Sequence, residues 1–149
     1  MKKIKFLVLG MFFAIGAMAQ SSKQVKWTFT AVKKGDQYEV KATAVVNSAY
    51  HIYAQDAGGG VGLPTKFKFN KNPLLTLVGT VKEGGKLISA KENLGDKKTV
   101  TVRYYKGTVT FTQMLKAKVS SNLSGNVTYM VCNETGCLPP STTSFDIKL

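Results

Sequence analysis

Apolar and polar residues alternate along most of this chain. Trp27, Phe29 and Ala31 interleave with Lys26, Thr28 and Thr30. Tyr38, Val40, Ala42, Ala44 and Val46 interleave with Glu39, Lys41 and Thr43. Phe67 and Phe69 alternate with Lys66 and Lys68, and Leu75, Leu77 and Val81 continue the pattern with Gly79 in the row. Further rows are Val100, Val102 and Tyr104; Val109, Phe111, Leu115, Ala117 and Val119; Val127, Tyr129 and Val131; and Phe145, Ile147 and Leu149. A period of two predicts strands with one face turned to a core. Turn chemistry separates the rows at Lys34-Gly35-Asp36, Asn70-Lys71-Asn72-Pro73, Glu83-Gly84-Gly85, Lys106-Gly107 and Ser124-Gly125-Asn126. No stretch has the period of an amphipathic helix. Seven to nine short strands at this spacing predict an all-β domain, an immunoglobulin-like antiparallel β-sandwich, with a small closed barrel as the alternative.

Two stretches break the alternation. Asp56 to Pro64 is glycine-rich, and Ala90 to Lys98 is polar with Leu94 as its one large apolar residue. Both are expected to be loops, the usual place for function. The glycine run lacks the Gly-Lys-Ser/Thr ending of a phosphate loop and no helix follows it, so it is expected to be a flexible turn.

The N-terminus belongs to another pattern. Lys2, Lys3 and Lys5 precede an apolar run from Phe6, and Ala17-Met18-Ala19 ends it with small residues at the two positions that a signal peptidase reads. The run is too short to span a bilayer core comfortably. Residues 1–19 are therefore expected to be a cleavable signal peptide, and 20–149 a single exported domain without a transmembrane segment. Removing 1–19 leaves 18 basic and 8 acidic side chains, a net charge of +10 rather than the +13 of the whole chain. The lysines are scattered over the outward parity of many strands, which indicates a solvated surface rather than a nucleic-acid site. Three glycosylation-type triplets begin at Asn122, Asn126 and Asn133 and carry little weight, since the pattern is common by chance.

Export places the two cysteines, Cys132 and Cys137, where they can pair. Two sulfurs and one distant histidine do not make a zinc site. A bridge closing about six residues constrains the unfolded chain by roughly 2 kcal/mol, against about 4.7 for a 100-residue loop. As a staple this placement is poor. As an exposed, exchangeable bond it is well placed, with Asn133, Thr135 and Gly136 to form the turn and Pro139-Pro140 to stiffen the exit. The residues leave both readings open. His51, the one histidine, lies in Tyr50-His51-Ile52-Tyr53. It is either a surface residue on a strand or a proton-handling neighbour that, when protonated, would favour a thiolate.

From Tyr129-Met130-Val131-Cys132 through Cys137-Leu138-Pro139-Pro140 to Phe145, the chain resembles the N-terminal periplasmic domain of the thiol–disulfide interchange protein DsbD. The resemblance implies an immunoglobulin-like fold and a reversible Cys132–Cys137 pair. It implies that Cys137 forms mixed disulfides with partners and that Cys132 resolves them. Tyr53 would line the site, with His51 where the family often has an aromatic residue. Lys91 to Lys98 resembles the family's cap loop, with Leu94 as the apolar contact over the sulfurs. Here four residues separate the cysteines, where well-known members have five. The function implied is that of a cofactor-free thiol–disulfide oxidoreductase component in the periplasm. Its expected electron donors are thioredoxin-like and membrane-embedded redox proteins on separate chains, and its acceptors are oxidised periplasmic proteins. The alternatives are a secreted non-catalytic β-sandwich for adhesion or ligand binding with a structural disulfide and, last, polyanion or membrane-surface binding through the basic charge.

Overall fold

A computed structural model describes residues 23–60, 62–96 and 98–149. The expected signal peptide and its cleavage point lie outside the described residues. The described chain is built of twelve strands. They are β1 (Val25–Lys34), β2 (Gln37–Val46), β3 (His51–Gly58), β4 (Lys66–Phe69), β5 (Leu75–Gly84), β6 (Leu87–Asn93), β7 (Thr99–Tyr105), β8 (Thr108–Ala117), β9 (Asn122–Tyr129), β10 (Val131–Asn133), β11 (Gly136–Cys137) and β12 (Ser141–Lys148). All pairings are antiparallel. One layer is β1-β2-β8-β5, and the facing strands form β12-β9-β4 and β11-β10-β3-β7-β6. The last two sheets are continuous in sequence, because β9 passes into β10 with only Met130 between them. This is the immunoglobulin-like β-sandwich that the alternation predicts. No helix among the described residues is long and apolar enough to cross a membrane.

The inward parity of the strands fills the space between the layers. Ala44, Val109 and Phe111 face Ile52, Val127, Tyr129 and Val131, all of them at most 1% exposed. Trp27 lies among Phe111 and Tyr129, with ring centroids 5.8 and 5.4 Å away. Phe29 packs on Phe145 at 4.9 Å. Such rings supply much of the buried area of a small sandwich. Glu83 ties the layers at one end, accepting from Gln55 N at 2.6 Å and from the Tyr105 hydroxyl at 2.9 Å. Burial, followed by the Glu83 contact, pushes the Tyr105 phenol up to about 12.

The structure departs from the sequence reading in four places. There are more strands than seven to nine, because short segments around the cysteines and after Gly85 also pair. Leu77 shares its register position with the buried Leu115, yet it is 43% exposed because β5 is the sheet edge. Val119 lies beyond the end of β8 and is 57% exposed. The polar stretch 90–98 is a loop only in its second half. Ala90 to Asn93 finish β6, and Asn93 pairs with Thr99 across a β6–β7 hairpin.

Candidate functional site

The cysteines sit opposite each other in a small hairpin. β10 and β11 pair Cys132 with Cys137 and Asn133 with Gly136, leaving Glu134 and Thr135 as the turn. Asn133 organises that turn: its Oδ1 accepts from Thr135 N at 2.9 Å, Thr135 Oγ1 at 2.8 Å and Gly136 N at 3.1 Å. Asn at the first turn position and Gly at the fourth suit this geometry, and Gly136 has a φ of 154°, which L side chains rarely adopt. The two Cα atoms are 4.0 Å apart and a disulfide joins the side chains. The hairpin is also closed without the sulfurs, since Leu138 N donates to Val131 O at 2.8 Å and the Leu138 side chain packs on the core.

The environments of the two sulfur-bearing residues differ. Cys132 is 2% exposed and packs with Tyr53, Ala57 and Val102. Cys137 is exposed. Strand alternation alone would not separate them, because cross-strand partners share a face. The separation comes from β3, which pairs with β10 on the side away from β11 and covers Cys132.

An open groove of about 350 Å³ runs over the bridge, lined by His51, Tyr53, Glu92, Leu94, Cys132 and Cys137 together with the hairpin turn. The structure thus gathers every site residue expected from the sequence around one surface. β3 places His51 directly opposite Cys132. The His51 ring lies 4.4 Å from the Tyr104 ring and 5.4 Å from that of Tyr53, and its Nε2 is buried with no hydrogen-bond partner among the described residues. Burial, and then the charge of Lys106, lower the His51 pKa below its ordinary value. The shift favours the neutral imidazole, so protonation of His51 calls for more acidic conditions than it does for a free histidine. Tyr53 is 2% exposed. Burial raises its phenol, and Glu92 and Tyr104 add to the shift, so its hydroxyl keeps its proton. Leu94 stands at the tip of the β6–β7 hairpin, 41% exposed, where Leu94 N donates to Lys98 O at 2.9 Å.

Two neighbours escaped the sequence reading. Tyr104 belongs to a strand row that reads as core, and only the register that pairs it with Tyr53 brings it to the site. Glu92 lies in the stretch read as a loop. The signal was present in the parity of Ile88, Ala90 and Glu92, a strand row whose third inward member is a carboxylate. Among the described residues, no group of three or more His, Cys, Asp or Glu side chains is arranged to hold a metal ion.

Comparison with known proteins agrees with this geometry. A family described as the N-terminal part of the thiol:disulfide interchange protein DsbD matches residues 18–149. The reduced DsbD N-terminal domain of Neisseria meningitidis superposes with a TM-score of 0.55 at 19% identity, over 86% of this chain and 87% of that one. The N-terminal periplasmic domain of ScsB from Proteus mirabilis gives 0.53 at 17% identity, over 87% of this chain and 47% of that one. The complex between the DsbD N-terminal and PilB N-terminal domains of N. meningitidis gives 0.50 at 16% identity, over 80% of each chain. No curated protein matches the sequence. With the family matched across nearly all of the described sandwich and a bridged cysteine pair in its terminal hairpin, the chain belongs to the DsbD N-terminal domain family of thiol:disulfide interchange proteins.

Proposed function

We propose that this domain carries electrons in the periplasm by exchanging its Cys132–Cys137 bridge with partner dithiols, and that Cys137 is the sulfur partners meet. The observation that carries the roles is the difference in exposure: Cys137 is exposed, whereas Cys132 is 2% exposed and packs with Tyr53. Thiolate attack needs access to the sulfur, and Cys137 is the exposed residue of the pair. A donor thiolate attacks Cys137 Sγ, the bridge breaks, and Cys132 leaves as a thiolate that takes up a proton. The donor's second thiol then attacks the donor sulfur of the mixed disulfide and releases Cys137. The donor is left oxidised by two electrons and this domain holds two thiols. In the second half, Cys137 attacks an acceptor disulfide, and Cys132 displaces the acceptor from Cys137 to restore the bridge. No cofactor enters either half.

The donors are thioredoxin-like and membrane-embedded redox proteins, and the acceptors are oxidised periplasmic proteins. The Neisseria complex of a DsbD N-terminal with a PilB N-terminal domain supports a docked partner domain on this fold. The 93–99 turn serves as the cover, with Leu94 as its apolar contact beside the bridge.

Trapping tests the roles. Cys132→Ser is expected to accumulate a mixed disulfide through Cys137, because the resolving thiol is gone, while Cys137→Ser is expected to trap poorly. Equal trapping by both variants removes the assignment. A reduction potential below about −300 mV, the range of structural bridges, removes the exchange reading altogether.

A further inference from the structure

The glycine segment after β3 is the sequence feature that exchange chemistry leaves unused, and its geometry ties it to the disulfide. The segment leaves β3 and returns to it. Thr65 N donates to Ala54 O at 3.3 Å, and the Thr65 hydroxyl donates to Tyr53 O at 2.6 Å, with Thr65 fully buried. The outgoing end is held by β7. The Arg103 guanidinium meets the Asp56 carboxylate at 2.6 Å, Arg103 Nε donates to Asp56 O at 2.9 Å, and Gly59 N donates to Thr101 O at 3.0 Å. The described residues on either side of position 61 are thus tethered, in contrast to the flexible turn expected from composition.

The crossing runs too close to its neighbours for side chains. A Cβ at Gly59 would stand 2.8 Å from Val100 Cβ, and one at Gly60 would stand 2.8 Å from Val102 Cγ1 and 2.9 Å from the Glu92 carboxylate. A Cβ at Gly62 would overlap the ring of Tyr53. Gly62 has an ordinary φ, so close approach alone demands glycine there. The ring beneath it is 2% exposed, and its other neighbours include Cys132 and the His51 ring. A displaced Tyr53 therefore disturbs the bridge and its groove, because a packed interior transmits a local misfit to the next side chain.

We propose that the return arm of this segment, from Gly62 to Thr65, is a clamp that seats Tyr53 against the Cys132–Cys137 bridge, with Gly62 and Thr65 as positioning residues for thiol–disulfide exchange. The inference rests on the exchange function proposed above. It assigns a role to Gly62, in a glycine run that matches no ligand-binding motif, and it explains why the segment carries a buried threonine where it rejoins β3.

The test is the rate at which reduced thioredoxin opens the bridge in the wild type, Gly62→Ala, Tyr53→Ala and the double variant, with urea midpoints to check folding. Gly62→Ala is expected to react at least tenfold more slowly than the wild type. The double variant is expected to stay within twofold of Tyr53→Ala, because the added methyl then meets no ring. Equal rates for Gly62→Ala and wild type overturn the clamp, as does a Gly62→Ala deficit that persists in full without the ring. Thr65→Val adds no bulk and decides the matter if Gly62→Ala does not fold. It is expected to slow exchange about threefold, and to do so only when Tyr53 is present; an unchanged rate overturns the clamp. A wild-type bridge that neither thioredoxin nor dithiothreitol opens overturns the exchange function itself, and the clamp with it, whatever the variants do.

Discussion

Reducing the Cys132–Cys137 bridge should leave the sandwich folded. The bond closes a loop of about six residues, so its chain-entropy contribution is roughly 2 kcal/mol. A domain of this size is stable by about 5–15 kcal/mol, so the reduced form remains well on the folded side. The native contacts around the pair point the same way. Leu138 N still donates to Val131 O, Asn133 still caps its turn, and Val131 remains fully buried in the main core. A reduced Cys132 stays where it is, because a buried thiol behaves as a small apolar group. With a urea slope of about 2 kcal/mol/M, the midpoint should fall by roughly 1 M on reduction. Far-UV circular dichroism against urea, with and without reductant, makes the measurement. Loss of the β signal at room temperature without denaturant, or a loss of stability above about 4 kcal/mol, would refute the reasoning. The bridge would then be a staple and exchange could not be its purpose.

The lowered pKa of His51 gives a prediction with a definite sign. Burial holds the folded imidazole neutral, so below the unfolded value of about 6.5 the unfolded chain binds the extra proton and stability falls as pH falls. His51→Phe should flatten the urea midpoint between about pH 5 and 7, and an unchanged slope there would count against a buried neutral ring. Removing the apolar tip of the β6–β7 hairpin with Leu94→Ala should speed attack on the bridge by glutathione a few-fold. The urea midpoint should hardly change, since exposed positions rarely shift stability by more than about 0.5 kcal/mol; an unchanged rate would show that the turn covers nothing.

What the sequence disclosed and what it hid follow from the range of the forces involved. Alternation is local, so the rows from Trp27 to Ile147 are legible without a structure, and so is the sandwich they imply. Edges are not local. Leu77 and Leu115 carry the same pattern, and only the sheet order leaves one of them at the rim with 43% of its surface open. The cysteine hairpin is legible because six consecutive residues contain both sulfurs and the turn between them. His51 and Leu94 stood out as the one histidine and as the large apolar residue of a polar stretch, and Tyr53 only through a family likeness; none of the three could be placed at the sulfurs from spacing, since their approach depends on β3 pairing with β10 and on the β6–β7 hairpin. Protonation of His51 could not be read at all, because the shift comes from burial and from Lys106, set by tertiary packing.

The glycine run shows the deeper difficulty. Composition cannot distinguish glycine that frees a chain from glycine that lets it pass close to something else. In sequence, Gly58 to Gly62 has the look of the first kind, and a loop of that composition is expected to move. Tethers to Arg103, Thr101, Ala54 and Tyr53 place it in the second. The distinction has a physical consequence for the site. A mobile loop would leave the Tyr53 ring free to swing, and Cys132 would lose the cover that separates it from Cys137. A tethered one keeps the ring in place and keeps the two sulfurs unequal. In the exchange proposed above, that inequality would set the order, with the sulfur of the exposed Cys137 attacked first and that of the buried Cys132 leaving.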